Sequence, residues 1–129
     1  MTKEILIVDD EPGVLVAIQF LMEQQGHRVL AAERGEDALD LIYRYKPDLV
    51  LLDIMLPGIS GWEVCEIIRL NPVYRNVKIV FLTARGDEVE IAKGLALGAD
   101  AYITKPFSND ELVARVNALL ESAYEATGE

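Results

Sequence analysis

Four short apolar runs in this chain each stop at groups that can do chemistry. Ile5-Leu6-Ile7-Val8 ends in Asp9-Asp10-Glu11, and Leu49-Val50-Leu51-Leu52 ends in Asp53. Lys78-Ile79-Val80-Phe81-Leu82 runs into Thr83-Ala84-Arg85-Gly86, and Ala101-Tyr102-Ile103-Thr104 into Lys105-Pro106. Each has a modest explanation alone. Asp53 suits a turn ahead of Pro57-Gly58. Asp9 and Asp10 suit a helix N-terminus, where the dipole favours negative charge. Thr83 suits a cap and Lys105 a surface position. The modest explanations fail together, because they do not say why the polar groups fall at successive run ends. If the runs are neighbouring strands, carboxylates, a hydroxyl and an ammonium surround one cleft. Two like charges about 4 Å apart repel by about 4 kcal/mol at an effective dielectric of about 20. Either one carboxyl holds a proton or a cation sits among them. Oxygen ligands with water nearby suit Mg²⁺ (or Mn²⁺). One carboxylate can then attack an electrophile while Lys105 and Thr83 hold the resulting oxyanion. Those are the parts of phosphoryl transfer to a carboxylate.

The elements between these runs are legible from spacing. Pro12 suits a first helical turn, Val14, Leu15, Ile18, Leu21 and Met22 recur at helical spacing, and Gly26 closes that helix. Arg28 to Ala32 is a weaker strand. Glu36 to Tyr45 is a helix with Ala38, Leu39 and Ile42 on one face, ended by Pro47. Gly61 to Leu70 is a helix with Val64, Ile67 and Ile68 inward, and Cys65 reads as a buried spacer. Trp62, at its start, reads as core payload. Val89 to Leu97 is helical, with Gly98 as its C-terminal glycine. Ser108 and Glu111 are spaced as a capping box for a last helix with Leu112, Val116, Leu119 and Leu120 inward. His27, the single histidine, reads as a surface turn residue. Strand and helix alternate five times, the pattern of an α/β, doubly wound parallel sheet with helices on both faces. Right-handed crossovers then follow.

Composition narrows the function. A chain of 129 residues that is 51% hydrophobic makes one globular domain with a real core. A formal net charge of −10 disfavours nucleic acid and anionic membranes, and favours a divalent cation or a basic protein patch. A single cysteine permits no intrachain disulfide. With no signal-peptide pattern and no apolar run of spanning length, the expectation is a cytoplasmic protein.

Five motifs in order resemble the receiver domain of two-component response regulators. They are Val8-Asp9-Asp10-Glu11; Asp53-Ile54-Met55-Leu56-Pro57 with Gly61; Thr83-Ala84; Gly98-Ala99-Asp100-Ala101-Tyr102; and Lys105-Pro106-Phe107. The resemblance runs from Ile5 to about Leu120. It implies a flavodoxin-like five-stranded sheet in order 2-1-3-4-5 and a receiver domain over 1–122; the polar residues 123–129 read as a flexible tail. It further implies that Asp53 accepts a phosphoryl group from a histidine kinase or a histidine phosphotransfer protein. Asp9, Asp10, Asp53 and the Met55 backbone carbonyl would hold Mg²⁺, and Lys105 and Thr83 would engage the phosphoryl oxygens. Tyr102 would turn with Thr83, and the Lys105-Pro106 bond would be cis. The helix from Val89, the strand at Tyr102 and the last helix would form the output face. There Lys93, Asp100, Glu111 and Arg115 would pair across a homodimer. Met55 and Arg85 would tune the lifetime of the modified state. Such a domain is not a conventional enzyme, although it assembles and hydrolyses its own aspartyl phosphate. With no room for an effector module after Glu121, the expectation is a single-domain regulator or a piece of a longer one. A phosphatase or phosphotransferase with an aspartyl nucleophile on a related α/β fold is the second reading, disfavoured because Met55 stands where an additional acid would be needed. A flavin binder on the same topology is the third, disfavoured because acidic strand ends repel a phosphate.

Overall fold

The structure, a computed structural model, describes residues 2–84 and 88–127, with side chains described as far as residue 121. The elements are β1 (Glu4–Val8), α1 (Pro12–Gln24), β2 (Arg28–Ala32), α2 (Gly35–Tyr45), β3 (Leu49–Asp53) and α3 (Gly61–Arg69). A 3₁₀ turn (Pro72–Tyr74), β4 (Lys78–Thr83), α4 (Glu88–Ala96), β5 (Ala101–Thr104) and α5 (Asn109–Thr127) complete them. All strand pairs are parallel, in the order β2-β1-β3-β4-β5. This is the flavodoxin-like order that the motifs imply. The chain leaves β1 in one direction to make β2 and in the other to make β3. The carboxyl ends of β1 and β3 therefore flank the point where the sheet order reverses, the place where open α/β sheets bind ligands.

Period-2 alternation divides the core into two layers. Leu6, Val8, Val50, Leu52, Ile79, Phe81 and Tyr102 pack with Ala38 and Ile42 of α2 and with Val64, Cys65 and Ile68 of α3. Ile5, Ile7, Leu49, Leu51, Val80, Leu82 and Ile103 pack with Leu15, Ile18 and Met22 of α1 and with Leu112, Val116 and Leu120 of α5. Every residue of β3 is buried, which is why that strand reads as an unbroken apolar run. Burying each of its leucines contributes roughly 2 kcal/mol, so β3 is a stiff support for whatever its last residue carries.

Some expectations are corrected. Ile67 is 37% exposed. Gly61, Val64, Cys65 and Ile68 make the inward face of α3, and Ile67 falls off its edge. Burial pushes the Cys65 thiol up to about 11, so it stays protonated as a packing residue. His27 is half-buried, with its Nδ1 accepting a 3.4 Å bond from the Lys3 N–H. Burial lowers its pKa, against a hydrogen bond with Asn117 of α5. It thus ties the start of β1 to α5 instead of facing solvent. Helix α2 ends in Lys46, whose φ of 47° is the left-handed conformation a glycine usually supplies. Helix α5 runs over Asn109–Thr127. Its Ser108 Oγ accepts the Glu111 N–H at 3.0 Å, one half of the expected box. A full capping box lies instead at α3. Ser60 Oγ accepts the Glu63 N–H at 3.2 Å, and Glu63 Oε1 accepts the Ser60 N–H at 3.2 Å.

Candidate functional site

The acids arrive on the two central strands. Asp9 follows β1 and is fully buried. Its Oδ1 accepts the Glu11 N–H at 2.9 Å and its Oδ2 accepts Lys105 Nζ at 2.9 Å. Asp53 ends β3 and is 5% exposed. Its Oδ1 accepts the Met55 N–H at 3.2 Å and its Oδ2 accepts Lys105 Nζ at 3.3 Å. Lys105 reaches both because β5 lies beside β4, and its own N–H donates to the Thr83 carbonyl at 2.6 Å. The Lys105-Pro106 peptide is cis. Carboxylate oxygens of Asp9, Asp10 and Asp53 all lie within 4.8 Å of one another. Asp10 is the exposed member. Glu11 adds a fourth acid, its Oε1 3.7 Å from Lys105 Nζ.

Burial and charge oppose each other here. Burial raises the Asp53 pKa, Lys105 lowers it, and the charge of Asp9 raises it again; burial wins, so the carboxyl titrates above its ordinary range. For Lys105, burial alone would pull the pKa down. The hydrogen bond to Asp9 and the charges of Asp53 and Asp9 outweigh it and hold the ammonium protonated. Four acids against one ammonium leave the pocket negative. An all-oxygen donor set of this spacing fits a hard divalent cation that keeps several waters.

The loop from β3 to α3 is pinned at two places. The Gly61 N–H donates to the Ile54 carbonyl at 2.9 Å. A Cβ on Gly61 would overlap the Asp53 carbonyl oxygen and fall 2.9 Å from Ile54 Cα. Only glycine lets α3 start this close to the acid. Gly58, at φ 76°, packs on the Glu36 carboxylate of α2, and Glu36 Oε1 accepts the Ile59 N–H at 3.1 Å. That bond and Arg34 hold Glu36 below its usual pKa. Sequence reading gave Glu36 no role, because its partner lies 23 positions away. Met55, two positions after Asp53, is 80% exposed.

Thr83 and Tyr102 belong to the other layer of the sheet, with Phe81. Thr83 Oγ1 donates to Glu90 Oε1 of α4 at 2.7 Å, and Tyr102 Oη donates to the Glu90 carbonyl at 3.1 Å. Tyr102 is 9% exposed and packed inward, its ring 5.7 Å from that of Phe81. Sequence reading missed Glu90; a carboxylate in the first turn of α4, seven residues after Thr83, was the available signal.

The four charges assigned to a dimer face have local partners in part. Asp100 Oδ2 accepts Arg69 Nη2 at 2.9 Å and the Ile79 N–H at 2.8 Å. Arg115 Nη2 donates to the Tyr102 carbonyl at 3.1 Å. Lys93 Nζ stands 4.8 Å from the Trp62 ring centroid. Glu111 is exposed at the start of α5. Arg85 lies outside the described residues.

The sequence pattern described as the response regulator receiver domain matches residues 5–117. Solved structures agree with it. A BeF3-activated DrrB receiver domain is 36% identical, with a TM-score of 0.84 over 94% of this chain and 99% of that one. The BeF3-activated N-terminal receiver domain of Klebsiella pneumoniae RstA is 36% identical, with a TM-score of 0.84 over 91% and 97%. A CheY-like receiver domain protein from Methanospirillum hungatei JF-1 is 30% identical, with a TM-score of 0.89 over 98% and 99%.

Proposed function

Since the chain belongs to the response regulator receiver domain family of two-component systems, we propose that Asp53 is its phosphoryl acceptor. The carrying observation is the shared ammonium: Lys105 Nζ lies 2.9 Å from Asp9 and 3.3 Å from Asp53 at the sheet's reversal point. One Asp53 oxygen attacks phosphorus as the bond to the donor breaks, and the leaving group departs with that electron pair. Lys105 turns its charge from the acids to the phosphoryl oxygens, and the Thr83 hydroxyl donates to one of them. Asp9, Asp10, Asp53 and the Met55 carbonyl would hold Mg²⁺, which supplies charge neutralisation for the transferring group. Met55, which is exposed, and Arg85 would set water access, and hence the lifetime of the modified state. The donor is a histidine kinase or a histidine phosphotransfer protein. An apolar groove lined by Gly13, Val14, Ala17, Leu21 and Phe107 runs up to Lys105 and gives a protein donor a surface beside Asp53.

Modification places roughly −1.5 to −2 charges at the sheet edge. Thr83 and Tyr102 then bias α4, β5 and α5, the face read by a partner or a second copy of the chain. Within that face Glu111 is the charge best placed to meet a second copy, since Asp100 already serves Arg69 and β4. Sedimentation with beryllofluoride is expected to show a heavier species; a monomer throughout would leave the face to a different partner.

The direct test is intact-mass spectrometry after incubation with Mg²⁺ and acetyl phosphate. A labile phosphoryl adduct that maps to Asp53 is expected, and none when the cation is chelated. Adduct formation should also depend on pH, because only ionised Asp53 attacks. Burial raises its pKa and Lys105 opposes that. Lys105→Met removes the opposing charge, so the acid limb of the rate profile should move to higher pH. A limb that stays put would show that the ammonium is not what keeps Asp53 ionised.

A further inference from the structure

We infer that Glu90 is a positioning residue that holds the Thr83 hydroxyl proton and thereby sets how readily Asp53 is modified. The inference rests on the role given to Thr83 above. A threonine hydroxyl has one proton to donate. In this structure it goes to a carboxylate oxygen 2.7 Å away. Hydrogen bonds to ionised acceptors are short and strong, the more so where the donor is buried, and Thr83 is 4% exposed. A phosphoryl oxygen on Asp53 has to take that proton from Glu90 before Thr83 can serve it.

Glu90 also grips the second moving part. Its backbone carbonyl accepts the Tyr102 hydroxyl at 3.1 Å, so one residue of α4 holds both side chains. Three residues on, Lys93 Nζ lies 4.8 Å from the Trp62 ring centroid. Trp62 stacks edge-on to Phe81 at 5.0 Å, and Phe81 meets Tyr102 at 5.7 Å. Helix α4 is thus clasped on one side by Thr83 and on the other by an aromatic row. Gly94 lets it lie this close, since a Cβ there would come 2.6 Å from Tyr102 Cε2. Redirecting the Thr83 hydrogen bond to a phosphoryl oxygen opens the first clasp and changes the surroundings of Trp62, the only tryptophan in the chain.

The test titrates beryllofluoride, with Mg²⁺, into the wild type and variants and follows Trp62 fluorescence, with the site of the acetyl phosphate adduct mapped in parallel. Glu90→Ala removes the competing acceptor, and about threefold to tenfold tighter binding is expected, the size of one net hydrogen bond. Glu90→Gln keeps a neutral acceptor and should fall between. In a Thr83→Ala background the Glu90 substitutions should have no effect, because the proton they compete for is gone. A merely structural loosening of α4 would act in both backgrounds, and that outcome overturns the inference. Equal binding by wild type and Glu90→Ala also overturns it while leaving Asp53 as acceptor. A wild type that binds no beryllofluoride and forms no adduct overturns both.

Discussion

Asp53→Asn is expected to take up no phosphoryl group from acetyl phosphate or from a protein donor, at any Mg²⁺ concentration. An amide oxygen has no full negative charge to offer phosphorus, and the neighbouring acids are otherwise engaged. Asp9 is fully buried and has both oxygens committed, one to Glu11 and one to Lys105. Asp10 is exposed and lacks the ammonium that orients Asp53. The expected change is from a labile adduct to none, read by intact mass. An adduct of equal yield on the variant would move the acceptor elsewhere. Asp53→Asn should also raise the melting temperature at neutral pH without metal. The folded-state pKa of Asp53 is raised, chiefly by burial. The folded protein therefore binds that proton more tightly than the unfolded chain does. The stability this contributes is present at low pH and lost as pH rises through the folded-state value. At neutral pH the ionised carboxylate opposes folding, and asparagine removes the penalty. A lower melting temperature would mean that its bonds to Lys105 and Met55 outweigh its desolvation.

Gly61→Ala is expected to abolish or nearly abolish adduct formation although Gly61 offers no side chain to the reaction. Its Cβ would overlap the Asp53 carbonyl oxygen. That oxygen belongs to a central strand paired with β1 and β4 and buried on both faces, so it cannot yield. The start of α3 would have to move, breaking the Gly61 N–H bond to the Ile54 carbonyl and releasing the loop that carries Met55. Alanine gains about 1 kcal/mol of helix propensity over glycine. Forcing an atom into a packed site costs about 3 kcal/mol. The overlap wins, and a net loss of about 2 kcal/mol is expected by denaturant melts. An equally stable, fully active variant would show that the loop is looser than its hydrogen bonds indicate. Gly13, in the first turn of α1, makes a useful contrast: nothing lies within 4 Å of a Cβ there, so Gly13→Ala should leave stability unchanged.

The placement of the polar groups at the strand ends was legible because it is local. An apolar run of four or five residues announces a strand covered on both faces, and the residue that breaks the run is delivered to the sheet edge. Asp9, Asp53, Thr83 and Lys105 could each be placed that way. The five alternations of strand and helix fix a parallel sheet, and the five motifs imply its order, β2-β1-β3-β4-β5. Ile67 misled because an apolar residue at the margin of a helical face reads like one at its centre; only the neighbouring sheet shows which side is covered.

Polar partners were a different matter. Asp100 looked free to meet another molecule, yet it holds Arg69, 31 residues back, and caps the start of β4. Glu36 steadies the loop that follows Asp53, and His27 ties β1 to α5. Thr83 was placed at the right edge, but its proton belongs to Glu90. A hydrogen bond is made or lost within a few tenths of an ångström, and separations between side chains on different elements are set by how the helices pack. The sequence by itself determined which groups reach the carboxyl edge of the sheet, because strand periodicity carries them there. Only the tertiary structure decided that Lys105 is shared between Asp9 and Asp53, and that α4 holds the Thr83 hydroxyl.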